Sequence, residues 1–145
     1  MEGYTTMSTY FIGKKADAPQ VWKEEPYRRK LYCLISPELD PSNQDIACGL
    51  VDLPEGGRSD FRGHEEGELF FCISGKGHIR LGNEILPLEA DSAIYVPPYV
   101  EHQTINDGGC GELRLLFALT PPFGGDRSII EASRQKMQEV AHEGK

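Results

Sequence analysis

From Lys30 onward apolar and polar residues fall into short β-rich runs, and no helical period appears before the last twenty residues. The runs Lys30–Ile35, Ile46–Leu53, Phe61–His64, Glu68–Ile73, Gly77–Leu81, Ile85–Leu88, Ala93–Val96, His102–Ile105 and Leu113–Leu119 read as strands. Between them stand Pro-Glu-Gly-Gly at 54–57, Ser-Gly-Lys-Gly at 74–77, Gly82-Asn83, Pro97-Pro98 and Asp107-Gly108-Gly109, residues that supply a positive or a fixed φ. His78-Ile79-Arg80-Leu81 alternates as a half-buried strand does and turns at Gly82-Asn83 into Glu84-Ile85-Leu86, which predicts a hairpin. Many short strands with regular turns mean an all-β sandwich or barrel.

The two ends read differently. Residues 19–29 (PQVWKEEPYRR) are charged and carry prolines, so they predict an arm or edge element outside the barrel. Ser128-Ile129-Ile130-Glu131 is a capping-box pattern, and Ile130, Met137, Val140 and Ala141 follow at helical spacing, predicting a helix over about 128–142. With 145 residues and no internal repeat, one domain over 1–145 is expected, with an N-terminal arm at 1–29 and the barrel at about 45–118.

Charge narrows the partners. A formal net charge of -8 repels phosphate backbones and anionic membrane, so a small molecule or another protein is expected, and neither nucleic acid nor membrane. No leader-like segment and no apolar run of membrane-spanning length is visible, which predicts a soluble, cytoplasmic protein; Met7 is an alternative start. Cys33, Cys48, Cys72 and Cys110 are widely spaced with no C-x-x-C pair, so they are expected to be reduced and structural, with Cys72 the one placed to look into a pocket.

The chemistry concentrates in two stretches. In residues 56–75, His64 and, after a turn, Glu68 can converge from neighbouring strands; Phe70 shares the parity of Glu68, while Leu69, Phe71 and Ile73 face the other way. In residues 90–106 a short apolar strand ends at Pro97-Pro98 and the chain restarts with His102, a third candidate ligand. Two imidazoles and one carboxylate suit an open non-haem iron or a catalytic zinc site. His78 and His142 are expected to face solvent, and Glu65 and Glu66 to lie exposed on the turn; Asn106 is expected either to shape a turn or to touch a ligand.

These stretches resemble the cupin superfamily, whose motifs are G-x5-H-x-H-x3-E-x6-G and P-x-G-x2-H-x3-N. Gly56, His64, Glu68 and Gly75 match the first, and Pro97, His102 and Asn106 the second; Arg62 stands in place of the first metal histidine and Tyr99 in place of a glycine. The resemblance implies a double-stranded β-helix (jelly roll), usually dimeric, holding one divalent ion (Fe, Zn, Mn, Ni or Cu) through His64, Glu68 and His102. A guanidinium has no lone pair to give a metal, so a four-ligand site is excluded. The three remaining ligands resemble the two-histidine, one-carboxylate sets of cupins such as 3-hydroxyanthranilate dioxygenases and hydroxypropylphosphonate epoxidases; under that reading Arg62 would anchor a substrate carboxylate or phosphate, and otherwise it would form an ion pair with Glu68 in a metal-free pocket. The expected activity is a metal-dependent reaction on a small anionic organic molecule. A non-catalytic small-ligand module and a metal-free isomerase with a histidine base are the alternatives. Apolar residues on the outward face of the Glu68 strand predict cover by a second copy or by the terminal helix, hence a homodimer.

Overall fold

The structure, a computed structural model, describes residues 10–122 and 126–143. The reading of Met7, the arm before Tyr10 and the side chain of His142 lie outside the described residues. Nine strands follow in chain order: β1 (Gln20–Lys23), β2 (Arg29–Ile35), β3 (Ala47–Leu53), β4 (Gly67–Ser74), β5 (Lys76–Leu81), β6 (Glu84–Glu89), β7 (Ala93–Val96), β8 (His102–Ile105) and β9 (Leu113–Thr120). One helix, α1 (Arg127–Glu143), follows them. The strands form a six-stranded sheet, β1-β2-β3-β9-β4-β7, and a three-stranded sheet, β6-β5-β8, all antiparallel. This is the all-β jelly-roll architecture expected.

Eight of the predicted strands are present to within two residues, and the ninth is corrected. Residues 61–64 form no strand; the chain from 58 to 62 touches β8 through two isolated bridges, Arg58 with Ile105 and Arg62 with His102. The segment forms no continuous ladder; between the bridges Ser59 bonds to β8 through its backbone and hydroxyl, accepting from Gln103 at 2.7 Å and from the Thr104 N–H at 2.9 Å. The 19–29 segment supplies β1, an edge strand beside β2, as its prolines and charges require.

Alternation builds the core. Leu31 and Cys33 of β2, Val51 and Leu53 of β3, Phe70 and Cys72 of β4, and Leu113 and Leu115 of β9 point inward and pack with Ile79, Leu88 and Val96 from β5, β6 and β7. The opposite face of the large sheet carries a smaller cluster of Tyr32 and Leu50, bordered by Leu34 and Leu116 and partly covered by Ala18. On that face Asp52 and Arg114, directly opposed on β3 and β9, form a two-pronged ion pair at 2.7 and 3.0 Å.

Helix α1 begins two residues from the expected cap. Asp126 is the cap: its carboxylate accepts from the backbone N–H of Ser128 at 2.8 Å and from the Ser128 hydroxyl. Ser128 is therefore inside the first turn. The helix packs on β1 and β2, with Ile129 buried in the main core and Ala132, Met137 and Val140 against it, whereas Ala141 is exposed. It does not cover the outer face of β4, where Leu69 and Ile73 remain exposed.

Candidate metal centre

Glu68 enters the interior because it continues an apolar row. Glu68, Phe70 and Cys72 share the inner face of β4, opposite Leu119, Phe117 and Leu115 of β9. His102 opens β8 on the other sheet and is buried together with Thr104. His64 comes from the loop before β4, where its carbonyl accepts from the Tyr99 N–H at 2.7 Å. The preceding Gly63 lies so close to this loop that a Cβ would meet the Tyr99 carbonyl oxygen at 2.8 Å. Two sheets and one loop thus deliver three side chains to one point.

Their geometry is specific. His64 Nε2 lies 3.1 Å and His102 Nε2 3.0 Å from the same Glu68 oxygen, Oε1, and one ligand atom from each residue lies within 4.8 Å of the others. The rings meet edge to face, 5.0 Å between centroids at 89°. Each Nδ1 is engaged by a backbone carbonyl, that of Glu66 for His64 and that of Val100 for His102, both at 2.9 Å. A carbonyl only accepts, so Nδ1 carries the hydrogen and a neutral ring keeps its lone pair on Nε2. Both lone pairs then face a carboxylate oxygen, which also only accepts. A positive charge, either protons or a metal cation, resolves that conflict, and the donor set fits a divalent ion.

The protonated alternative leaves its mark on the acid–base balance. Burial alone would push the Glu68 carboxyl up, but hydrogen bonds from His102 and His64 and their charge hold it below the ordinary glutamate range. His64 moves up, chiefly through its hydrogen bond to Glu68, against the opposing effect of burial.

Arg62 does not pair with Glu68. Its side chain is 51% exposed and its Nε lies 3.5 Å from Asp60, while its backbone exchanges hydrogen bonds with His102 at 3.0 and 3.2 Å. The irregular 58–62 segment holds the guanidinium at the rim, so Glu68 faces the two imidazoles and not Arg62. Arg62 does line the cavity, about 110 Å³, in which His64, Glu68 and Phe70 also stand.

Several pocket residues escape sequence reasoning. Arg29, at the start of β2, is buried beside Asp60 and Asp126 at 3.7 and 3.8 Å, and burial pulls its guanidinium below its ordinary pKa. Charge at the edge of a Pro-rich segment gives no hint of this. Cys33 and Cys48 line the cavity, whereas Cys72, expected to look into the pocket, is not among its lining residues and lies in the core with its thiol toward the carbonyls of Ser74 and Gly75. All four cysteines are free, and burial pushes the thiols of Cys33, Cys48 and Cys72 up, which makes them poor nucleophiles. His78 pairs with Asp107 at 2.6 Å on the surface. Asn106 is fully buried and donates to the carbonyls of Leu53 and Gly111, so it ties strand ends together and is not among the residues lining the cavity. Glu66, expected to be exposed, is buried beside His64.

A two-sheet antiparallel jelly roll with paired imidazoles and a carboxylate inside one end defines a class, the small double-stranded β-helix proteins. Residues 49–119 match the family model of the cupin domain, and the chain belongs to the cupin superfamily. Among solved structures it is similar to a cupin-2 domain protein of Rhodospirillum rubrum, with a TM-score of 0.66 and 17% identity over 83% of this chain and 77% of the other. It is also similar to a predicted oxalate decarboxylase of Thermotoga maritima, with a TM-score of 0.65 and 16% identity over 77% and 99%. Among characterised sequences it resembles glucose-6-phosphate isomerase of Thermococcus onnurineus, 30% identical over 128 residues, 80% of this chain and 66% of that enzyme. The chain thus spans about two-thirds of that relative's length.

Proposed function

We propose that the protein is a metal-dependent enzyme acting on a small anionic organic molecule, with His64, Glu68 and His102 as ligands of one divalent cation. What carries the reading is the commitment of both Nδ1 atoms to backbone carbonyls, which leaves two Nε2 lone pairs and a carboxylate aimed at one point. When bound, the ion would act as a Lewis acid, polarising a substrate oxygen.

The chain's own residues have separate tasks. Glu66 and Val100 carbonyls fix the ring orientation, and Phe70, ring to ring with His102 at 5.8 Å, gives the site an apolar wall. Arg62, half exposed and held only loosely by Asp60, is free to turn toward a carboxylate or phosphate at the cavity mouth. A cavity of about 110 Å³ suits a small metabolite, since drug-sized ligands occupy roughly 300 Å³ or more.

The resemblance to archaeal glucose-6-phosphate isomerases directs the first assay to interconversion of small sugar phosphates. The protein should contain close to one divalent ion per chain, turn over such a substrate, and lose both properties in His64→Ala. Turnover that survives chelation but not the histidine change would favour a metal-free isomerase, in which the His64–Glu68 pair moves the proton. Ligand-induced melting shifts with no turnover of any anion tested would make the chain a binding module.

We further propose that the chain forms one domain and pairs as a homodimer through the outer face of the large sheet. Leu69, Ile73 and Tyr95 are exposed there and α1 lies elsewhere.

A further inference from the structure

We propose that Glu66 is a positioning residue for the metal centre: its buried carboxylate, beside His64 Nδ1, holds that ring in the tautomer that presents Nε2 to the cation. The inference rests on the metal reading above and extends it to Glu66, one of the variable positions between His64 and Glu68 in the first cupin motif.

Three observations meet at this side chain. Glu66 is only 3% exposed, although it sits on a turn between exposed Glu65 and the start of β4. Its Oε1 lies 3.6 Å from His64 Nδ1, and that is the one ion-pair contact the carboxylate makes among the described residues. Its own carbonyl oxygen accepts from the same Nδ1 at 2.9 Å. The residue therefore presents two acceptors, one neutral and one anionic, to a single ring nitrogen.

A buried carboxylate without a partner is costly, so its placement against an imidazole N–H, and against no arginine or lysine, needs a reason. An anion next to Nδ1 favours the hydrogen on that atom and raises the electron density available at Nε2. Metal-bound histidines are commonly supported in this way, and loss of such a partner weakens metal binding by about 10–100-fold. Because the direct hydrogen bond here goes to the backbone, which a side-chain change leaves in place, the lower end, about 10-fold, applies. Among the described residues His102 has the Val100 carbonyl alone behind its Nδ1, so the two rings are supported unequally and the change should act on His64.

The test compares Glu66→Gln with Glu65→Gln, its exposed neighbour, by calorimetric titration of the metal-stripped full chain with zinc or manganese chloride. Side-chain nitrogen NMR of His64 is read in parallel. Glu66→Gln should weaken metal binding about 10-fold and move the apo His64 ring toward the Nε2–H tautomer, while Glu65→Gln matches the parent. Equal affinities for parent and Glu66→Gln would overturn the proposal. If Glu66→Gln does not fold, the unsubstituted apo protein still decides: His64, with carbonyl and carboxylate behind Nδ1, must be more completely Nδ1–H than His102, with a carbonyl alone, and equal tautomer fractions in the two rings refute the role assigned to Glu66. A parent chain that binds neither metal defeats the metal reading itself, and the tautomer of its His64 then judges Glu66 separately.

Discussion

At the scale of single residues, Tyr99 and His64 show how the two motifs lock together. Tyr99 has a φ of 68°, a region bulky side chains avoid, yet the residue is 73% exposed and its N–H holds the His64 carbonyl. The function of that strained backbone is carried by the N–H, which glycine keeps. Tyr99→Gly should relieve about 1–2 kcal/mol of strain. Against that stands the extra freedom of glycine in the unfolded chain, worth about 0.5–1 kcal/mol. A rise in melting temperature of roughly 1–4 °C is expected, with metal affinity unchanged; a lower melting temperature would mean that the ring makes contacts that matter.

Metal binding requires neutral imidazoles, so it must fail in acid. Glu68 raises the pKa of His64 above the ordinary imidazole value, and the proton competes with the cation from that higher pH downward. Zinc affinity followed by calorimetry should therefore begin to fall above about pH 6.5, the unperturbed histidine value. A flat affinity between pH 8 and pH 6 would contradict the assignment of His64 as a ligand.

At the scale of elements, α1 depends on its cap. Burial alone would raise Asp126, but the Ser128 hydrogen bonds and Lys23 hold its carboxyl below the ordinary value of 3.8. A depressed folded-state pKa gives stability that is complete above the unfolded value and disappears as pH falls through the folded one. The pH dependence of the helix signal below about pH 4 should accordingly flatten in Asp126→Asn relative to the parent. Asp126→Ala should cost about 1–2 kcal/mol in a denaturant titration, as capping losses do. If Asp126→Ala is as stable as the parent, packing of Ile129 alone holds the helix.

The strands, the turns and the three converging side chains are legible in the sequence because alternation places Glu68 in an inward row and because His64 and His102 sit at motif spacing. What escaped is what alternation cannot encode. Residues 61–64 look like a strand but lack a second pairing partner, so Arg62 ends at the rim and its side chain turns to Asp60. Burial of Arg29 brings it beside Asp126, nearly a hundred residues away, and Glu66 is buried against His64, whose loop is fixed by the Tyr99 N–H; neither tertiary contact is written in local alternation. The cap of α1 was misplaced because Asp126 and Ser128 both suit an N-cap, and only the register of Ile129 in the core chooses between them.

At the scale of the whole molecule, the outer face of the large sheet is where the proposed homodimer would form. Leu69 and Tyr95 are direct cross-strand neighbours there, both exposed, beside the Tyr32 and Leu50 cluster. Light scattering at micromolar concentration should give twice the mass of the 16.2 kDa chain, and Leu69→Glu should halve it. A monomeric parent would leave that face without the proposed partner. Among the described residues no helix is long and apolar enough to cross a membrane.

The central claim concerns one point inside the sandwich, where His64, Glu68 and His102 meet. Crystals grown with manganese or zinc, measured on either side of the metal's absorption edge, test it most directly. An anomalous peak about 2.0–2.2 Å from both Nε2 atoms and a Glu68 oxygen is the predicted result. A water molecule at that point with no anomalous signal, or the Arg62 guanidinium folded in to meet Glu68, would contradict it.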